Sequence, residues 1–150
     1  MVDDEDEPQA KKALFMNEDE DSNPAVATNL RERRTGSQEK SETSPLTECL
    51  NYLHRILQRK DVNGIFAFPV TDSIAPGYSS IITQPMDFST MKTKIDDGDY
   101  NSVAEFKRDF KLMCNNCCVY NRPETIFYQE AKRLMTMGVK QMSKVWLYFC

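Results

Sequence analysis

Several features are scarce in this chain of 150 residues, and each scarcity removes a class of protein. No apolar run reaches the ~18 residues that cross a bilayer, and no apolar segment follows Met1 as a secretory leader requires. A soluble, intracellular protein with no membrane partner is expected. No stretch alternates apolar and polar residues as a half-buried strand does, so no sheet is expected. There is one histidine, His54. No nucleophile–base–orienter set, phosphate-binding glycine loop or paired-carboxylate site is visible, which argues against an enzyme and for no cofactor. Five cysteines, an odd number without a secretory signal, argue for reduced thiols rather than a disulfide framework. No internal repeat is present.

Charge is unevenly distributed. Residues 1–44 hold twelve acids and six bases, a net of −6, whereas residues 45–144 hold eleven acids and thirteen bases, a net of +2. The runs Asp3-Asp4-Glu5-Asp6-Glu7 and Glu18-Asp19-Glu20-Asp21 repel themselves and bury nothing, so residues 1–43 are expected to form a disordered acidic tail. Arg31-Glu32-Arg33-Arg34 is too short to be a nuclear signal by itself.

The remainder reads as helices around one long loop. Leu46, Leu50, Leu53 and Leu57 form one stripe of an amphipathic helix, with Pro45 at its first position and Ser44 or Thr43 as cap. Phe88, Met91 and Ile95 share a face of a second, capped by Asp87 and ended by Asp97-Gly98-Asp99. Ser102 and Glu105 have the spacing of a capping box, opening a third helix with Val103, Phe106, Phe110, Met113, Cys114 and Cys117 inward. Pro123 forces Arg122 out of helical conformation. A fourth helix carries Ile126, Ala131, Leu134, Met135, Val139 and Met142. Between the first two lies Asp61 to Met86, rich in Pro and Gly yet holding Ile65, Phe66, Phe68, Val70, Ile74, Tyr78, Ile81 and Ile82, residues that favour burial. Loops beyond about 12–15 residues are usually functional or disordered. This one is too hydrophobic for disorder, so an ordered loop walling a pocket is expected.

Four segments of this region carry a family pattern: Phe66-Ala67-Phe68-Pro69-Val70, Ala75-Pro76-Gly77-Tyr78, Gln84-Pro85-Met86-Asp87-Phe88 and Val119-Tyr120-Asn121-Arg122-Pro123. In these segments and their order, residues 44–144 resemble a bromodomain. Leu57-Gln58-Arg59-Lys60-Asp61, Phe68-Pro69-Val70-Thr71-Asp72 and Phe110-Lys111-Leu112-Met113-Cys114 resemble most the branch of bromodomain-containing proteins seven and nine, subunits of SWI/SNF-type chromatin remodellers. The resemblance implies an all-α, left-handed four-helix bundle (Z, A, B, C) with a long Z–A loop, and a cavity at one end that receives acetyl-lysine. It gives Asn121 the role of amide donor to the acetyl carbonyl, and Tyr78 that of reaching the same carbonyl through a water. Phe66, Val70, Ile74 and Ala75 match the apolar wall, joined by Ile65 and Phe68. Tyr120 is the aromatic beside the asparagine, and Phe127 stands at the gatekeeper position. The implied partners are acetylated histone tails and remodelling-complex subunits, with a weak auxiliary DNA contact left open, and the implied location is the nucleus. Two departures stand out. Gly64-Ile65-Phe66 replaces the common Trp-Pro-Phe shelf, with Ile65 where the similar branch has Phe, and Phe127 replaces that branch's Tyr.

Two other readings compete. Cys114-Asn115-Asn116-Cys117-Cys118 has metal or redox spacing, but zinc needs four ligands and only Cys49, Cys150 and His54 remain. Cys114 and Cys117 fit the apolar stripe better. His54 reads as a surface residue. A helical protein- or DNA-interaction module without acetyl-lysine binding is the second alternative, although a net of +2 is slight for a phosphate-tracking surface. The apolar stretch Val145–Cys150 either extends the last helix or is a truncated end.

Overall fold

The structure, a computed structural model, describes residues 43–149, with side chains described through Val145. The acidic segment 1–42 and Cys150 lie outside the described residues. Five helices follow in order: α1 Pro45–Lys60, α2 Tyr78–Ile81, α3 Phe88–Asp96, α4 Val103–Tyr120 and α5 Ile126–Phe149. The described residues contain no strand. The four longer helices form the bundle, α4 packing along α5 while α1 lies against α3, α4 and α5.

The helix ends follow from local chemistry. Ser44 caps α1, its hydroxyl accepting from the Thr47 amide at 3.1 Å. The Asp87 carboxylate accepts from the Ser89 and Thr90 amides to start α3. Ser102 accepts from the Glu105 amide at 3.2 Å, while the Glu105 carboxylate reaches back to the Asn101 amide at 2.8 Å, one residue beyond the usual capping box. Gly98, at φ 73°, makes the turn that closes α3.

Leu50, Leu53, Leu57, Phe88, Met91, Phe106, Phe110, Met113 and Leu134 are buried in one continuous core. Three expectations are corrected. His54 is buried, its Nε2 2.8 Å from the Phe88 carbonyl, because it stands four residues after Leu50 and three before Leu57 on the inward stripe. Ile126 is exposed, and Phe127 takes its place inside. The Thr125 hydroxyl donates to the Arg122 carbonyl and accepts from the Tyr128 amide, setting the phase of α5. Ile81 is exposed because Tyr78–Ile81 forms one helical turn that points Tyr78 and Ile82 inward. The C-terminal apolar stretch continues α5 to Phe149, with Val145 in the core.

Gly138 of α5 packs against Phe110 of α4 and Leu57 of α1. A Cβ there would overlap the Phe110 ring and come within 3.2 Å of Leu57 Cδ2. Alanine favours a helix over glycine by ~1 kcal/mol, but overpacking a rigid core costs about 1–3 kcal/mol. The clash is with a ring, so Gly138→Ala should lower the melting temperature by several degrees, as calorimetry would show.

Burial lowers the pKa of His54 from its ordinary 6.5 by disfavouring the imidazolium, and Lys92 acts in the same direction. The unfolded chain therefore takes up this proton at higher pH than the folded one. The contribution is complete above pH 6.5 and is lost as pH falls from there toward the lower folded value. The raised pKa of Asp61 acts in the opposite sense, so a variant comparison isolates the histidine. His54→Gln keeps an N–H for Phe88, and its melting temperature should fall less between pH 7.5 and 5.5 than that of the wild-type protein.

Candidate functional site

At one end of the bundle the loop 61–86 returns over the α4–α5 turn and leaves a cavity open to solvent. Ile65, Phe66, Phe68, Val70, Ala75, Tyr78, Tyr120, Asn121 and Phe127 line it together. Ile74 does not line it. It is half-buried on the loop, in the turn where its amide donates to the Thr71 carbonyl. Met86, Asp87, Met113 and Cys117 complete the lining.

The loop keeps its shape through backbone tethers. Asp61 ends α1, and its two carboxylate oxygens accept from the Ile65 and Phe66 amides at 3.0 and 2.9 Å. The carbonyls of Phe66 and Ala67 accept from Phe88 and Ser89 at the start of α3, at 2.9 and 3.2 Å. Farther along, Asp72 accepts from both the amide and the hydroxyl of Ser79. The end of the loop is held by Asn116 of α4, whose Nδ2 donates to the Gln84 carbonyl at 2.8 Å. Tyr120 spans the mouth: its hydroxyl donates to the Pro76 carbonyl at 3.1 Å, and its ring meets the Tyr78 ring edge-on with centroids 5.0 Å apart.

Asn121 caps the C-terminus of α4 with an extended backbone (φ −99°, ψ 151°). Its Nδ2 donates to the Cys117 carbonyl at 3.0 Å and lies 3.4 Å from the Cys117 sulfur. The carbonyl takes one of the two N–H groups, and the thiol opposite the other is a weak acceptor. A carbonyl oxygen entering the cavity would compete well for that second N–H. Burial pushes the Tyr78 hydroxyl up to about 12, so it stays protonated as a donor.

Cys114 and Cys117 are buried, and burial raises both thiols, Cys117 to about 12. Thiols held protonated are poor nucleophiles and poor metal ligands. Among the described residues no group of three or more His, Cys, Asp or Glu side chains is placed to hold a metal. Nor is any helix among them long and apolar enough to cross a membrane.

Two residues that shape the site were not singled out as such from the sequence. Asp61 showed only as the first residue of the loop and the end of a segment with family likeness, with no role in the site. Asn116 stood inside the cysteine cluster, where its contact with Gln84 has no sequence signal.

Known proteins resemble the chain in both sequence and fold. The bromodomain family profile matches residues 49–133, more than half of the chain. Bromodomain-containing protein 9 of Xenopus laevis is 58% identical over 118 residues, covering 79% of this chain and 22% of the relative. Bromodomain-containing protein 7 of Homo sapiens is 59% identical over 107 residues, covering 71% and 16%. The chain thus spans about a fifth of the length of these relatives. Among solved structures, a Leishmania donovani bromodomain complexed with bromosporine superposes with a TM-score of 0.61 at 26% identity, covering 73% of this chain and 92% of that one. With helices, loop and cavity arranged as described and the profile spanning the bundle from α1 into α5, this chain belongs to the bromodomain family.

Proposed function

We propose that the domain is an acetyl-lysine reader that binds acetylated histone tails through the cavity between the loop 61–86 and the α4–α5 turn. The observation that carries this reading is the Asn121 amide, set in an otherwise largely apolar cavity and opposed on one side by a thiol. Acetylation converts a hydrated cation into a neutral amide, which can enter an apolar cavity if its carbonyl finds a donor. Asn121 supplies the direct donor, and Tyr78 a protonated hydroxyl that reaches the same carbonyl through a water. Phe66, Val70, Ala75 and Phe127 cover the methylenes, with Ile65 and Phe68 flanking them. An unmodified lysine would bring an ammonium against an amide donor, with the lining carboxylate of Asp87 already engaged by the first turn of α3, and should be rejected. The solved Leishmania donovani relative binds bromosporine, which fits a ligand-taking cavity in this family.

The expected affinity follows from the chemistry. Burying about four or five carbons contributes ~3–4 kcal/mol at ~0.8 per methylene, and one neutral hydrogen bond adds ~1 kcal/mol. That total of about 4–5 kcal/mol places dissociation constants between about one millimolar and a few hundred micromolar, suited to weak, reversible reading. We further propose membership in a SWI/SNF-type remodelling complex, nuclear location and a role in transcription regulation. These rest on the resemblance to bromodomain-containing proteins seven and nine. Co-purification of remodeller subunits with the tagged chain from nuclear extract tests them.

Asn121→Ala removes the direct donor and leaves a buried carbonyl unmet, a cost of about 1–3 kcal/mol. Calorimetry should find no measurable binding of acetylated peptide to a variant that remains folded. Affinity equal to the wild type would overturn the mechanism, and the same titrations with unmodified peptide and with duplex DNA separate it from the alternative readings.

Acyl length probes the wall. Gly64 offers no ring to close the side, and Ile65 is smaller than the Phe of similar sequences, while Phe127 keeps an aromatic ring in the lining. Each further methylene on an apolar wall contributes up to ~0.8 kcal/mol. Propionyl-lysine should be tolerated, and butyryl-lysine should bind within about tenfold of acetyl-lysine. A steep loss at propionyl would show a narrower cavity.

A further inference from the structure

Asp61 combines three features that a simple helix-terminating residue does not need. It is buried, at 9% exposure. Each of its carboxylate oxygens accepts from a different backbone amide, those of Ile65 and Phe66, and both of those residues line the cavity. Its own amide and carbonyl are also used, the amide donating to Gln58 and the carbonyl accepting from Gly64. The next carbonyl back, that of Lys60, accepts from Arg133 of α5 at 3.0 Å, so the turn is fixed to a second helix. Burying a carboxylate is unfavourable, and here desolvation raises its pKa, with the two amides acting against the shift. A buried charge bonded to two successive amides fixes position more tightly than an apolar contact, because both bonds are directional and charge-assisted.

We propose that Asp61 is a positioning residue of the cavity: it clamps the Ile65–Phe66 wall against α1 and thereby sets the affinity and acyl-length selectivity of the site. The wall is fixed from both sides, amides to Asp61 and the Phe66 carbonyl to Phe88. Releasing the amide side leaves the wall hinged on α3 alone. This inference rests on the acetyl-lysine reading, and its test separates the two.

Asp61→Asn keeps size but offers one oxygen for two amides, with an NH2 facing the second. Peptides carrying acetyl-, propionyl- or butyryl-lysine at one position would be titrated into wild type, Asp61→Asn and Asp109→Asn, each well below its melting temperature. Asp109 is an equally buried carboxylate, bonded to Tyr100 and Lys94 and absent from the cavity lining, so its variant reports on stability loss alone. Asp61→Asn should weaken acetyl-lysine binding about tenfold and change the butyryl-to-acetyl ratio. Asp109→Asn should lower the melting temperature and leave both unchanged. Amide hydrogen exchange, read in the same variants without ligand, should speed up at Ile65 and Phe66 in Asp61→Asn only. Should Asp61→Asn fail to fold, Gly64→Ala perturbs the same turn through its φ of 66°, with nothing within 4 Å of the added Cβ, and should shift the acyl ratio likewise. An unchanged ratio and affinity in the folded Asp61 variant would overturn the positioning role. Wild-type protein that binds no acylated peptide would overturn the reader function instead, with the exchange data still deciding the clamp.

Discussion

An apolar cavity open to solvent gains by collapsing, because every wall contact that forms removes surface from water. What opposes collapse here is backbone tethering of the loop 61–86. The carboxylate of Asp61 at the end of α1, the backbone amide of Phe88 in α3 and the side-chain amide of Asn116 in α4 fix its two ends. Without these directional bonds, Phe66, Phe68 and Val70 could close onto Met113 and Phe127, and the volume the site needs would be lost. The bundle supplies rigid helix ends to which such bonds can be made. The cavity is thus a product of polar backbone chemistry, although its lining is largely apolar.

The polar side chains of the lining are each positioned by a neighbour. Asn121 is held by the Cys117 carbonyl one helical turn back, so its amide orientation comes from α4 itself. Tyr120 hangs on the Pro76 carbonyl and stacks edge-on with Tyr78, which links the α4 terminus to the loop. Asp87 lines the cavity, yet its oxygens are occupied by the first turn of α3. A carboxylate already engaged by those amides and hydroxyls is a poor counter-charge for an unmodified lysine, in keeping with discrimination for the neutral side chain.

Helix positions and most of the core were legible because apolar residues recur at 3.6-residue spacing and the caps Ser44, Asp87 and Ser102 are local signals. His54 was misread: its polarity suggested the surface, yet it falls between Leu50 and Leu57 on the buried stripe, and a bond to the Phe88 carbonyl satisfies it inside. Ile126 and Ile81 failed for a different reason. Each lies where the chain enters or leaves a helix, and there a cap or a single turn decides which neighbour faces inward. Nine proposed wall residues share one cavity, whereas Ile74 does not line it. In a loop with no period, hydrophobicity indicates burial without direction. Asp61 and Asn116 act through contacts with backbone groups, which side-chain pattern does not encode.

The central claim is that the Asn121 side-chain amide receives the acyl carbonyl. The most direct measurement is nuclear magnetic resonance of the assigned Asn121 NH2 pair during titration with an acetyl-lysine peptide and its unmodified counterpart. The account predicts that the two amide protons separate in shift as acetyl-lysine is added, one staying on the Cys117 carbonyl and the other moving downfield, with no change for unmodified lysine. Saturable binding of acetylated peptide that leaves both Asn121 protons unmoved would contradict it.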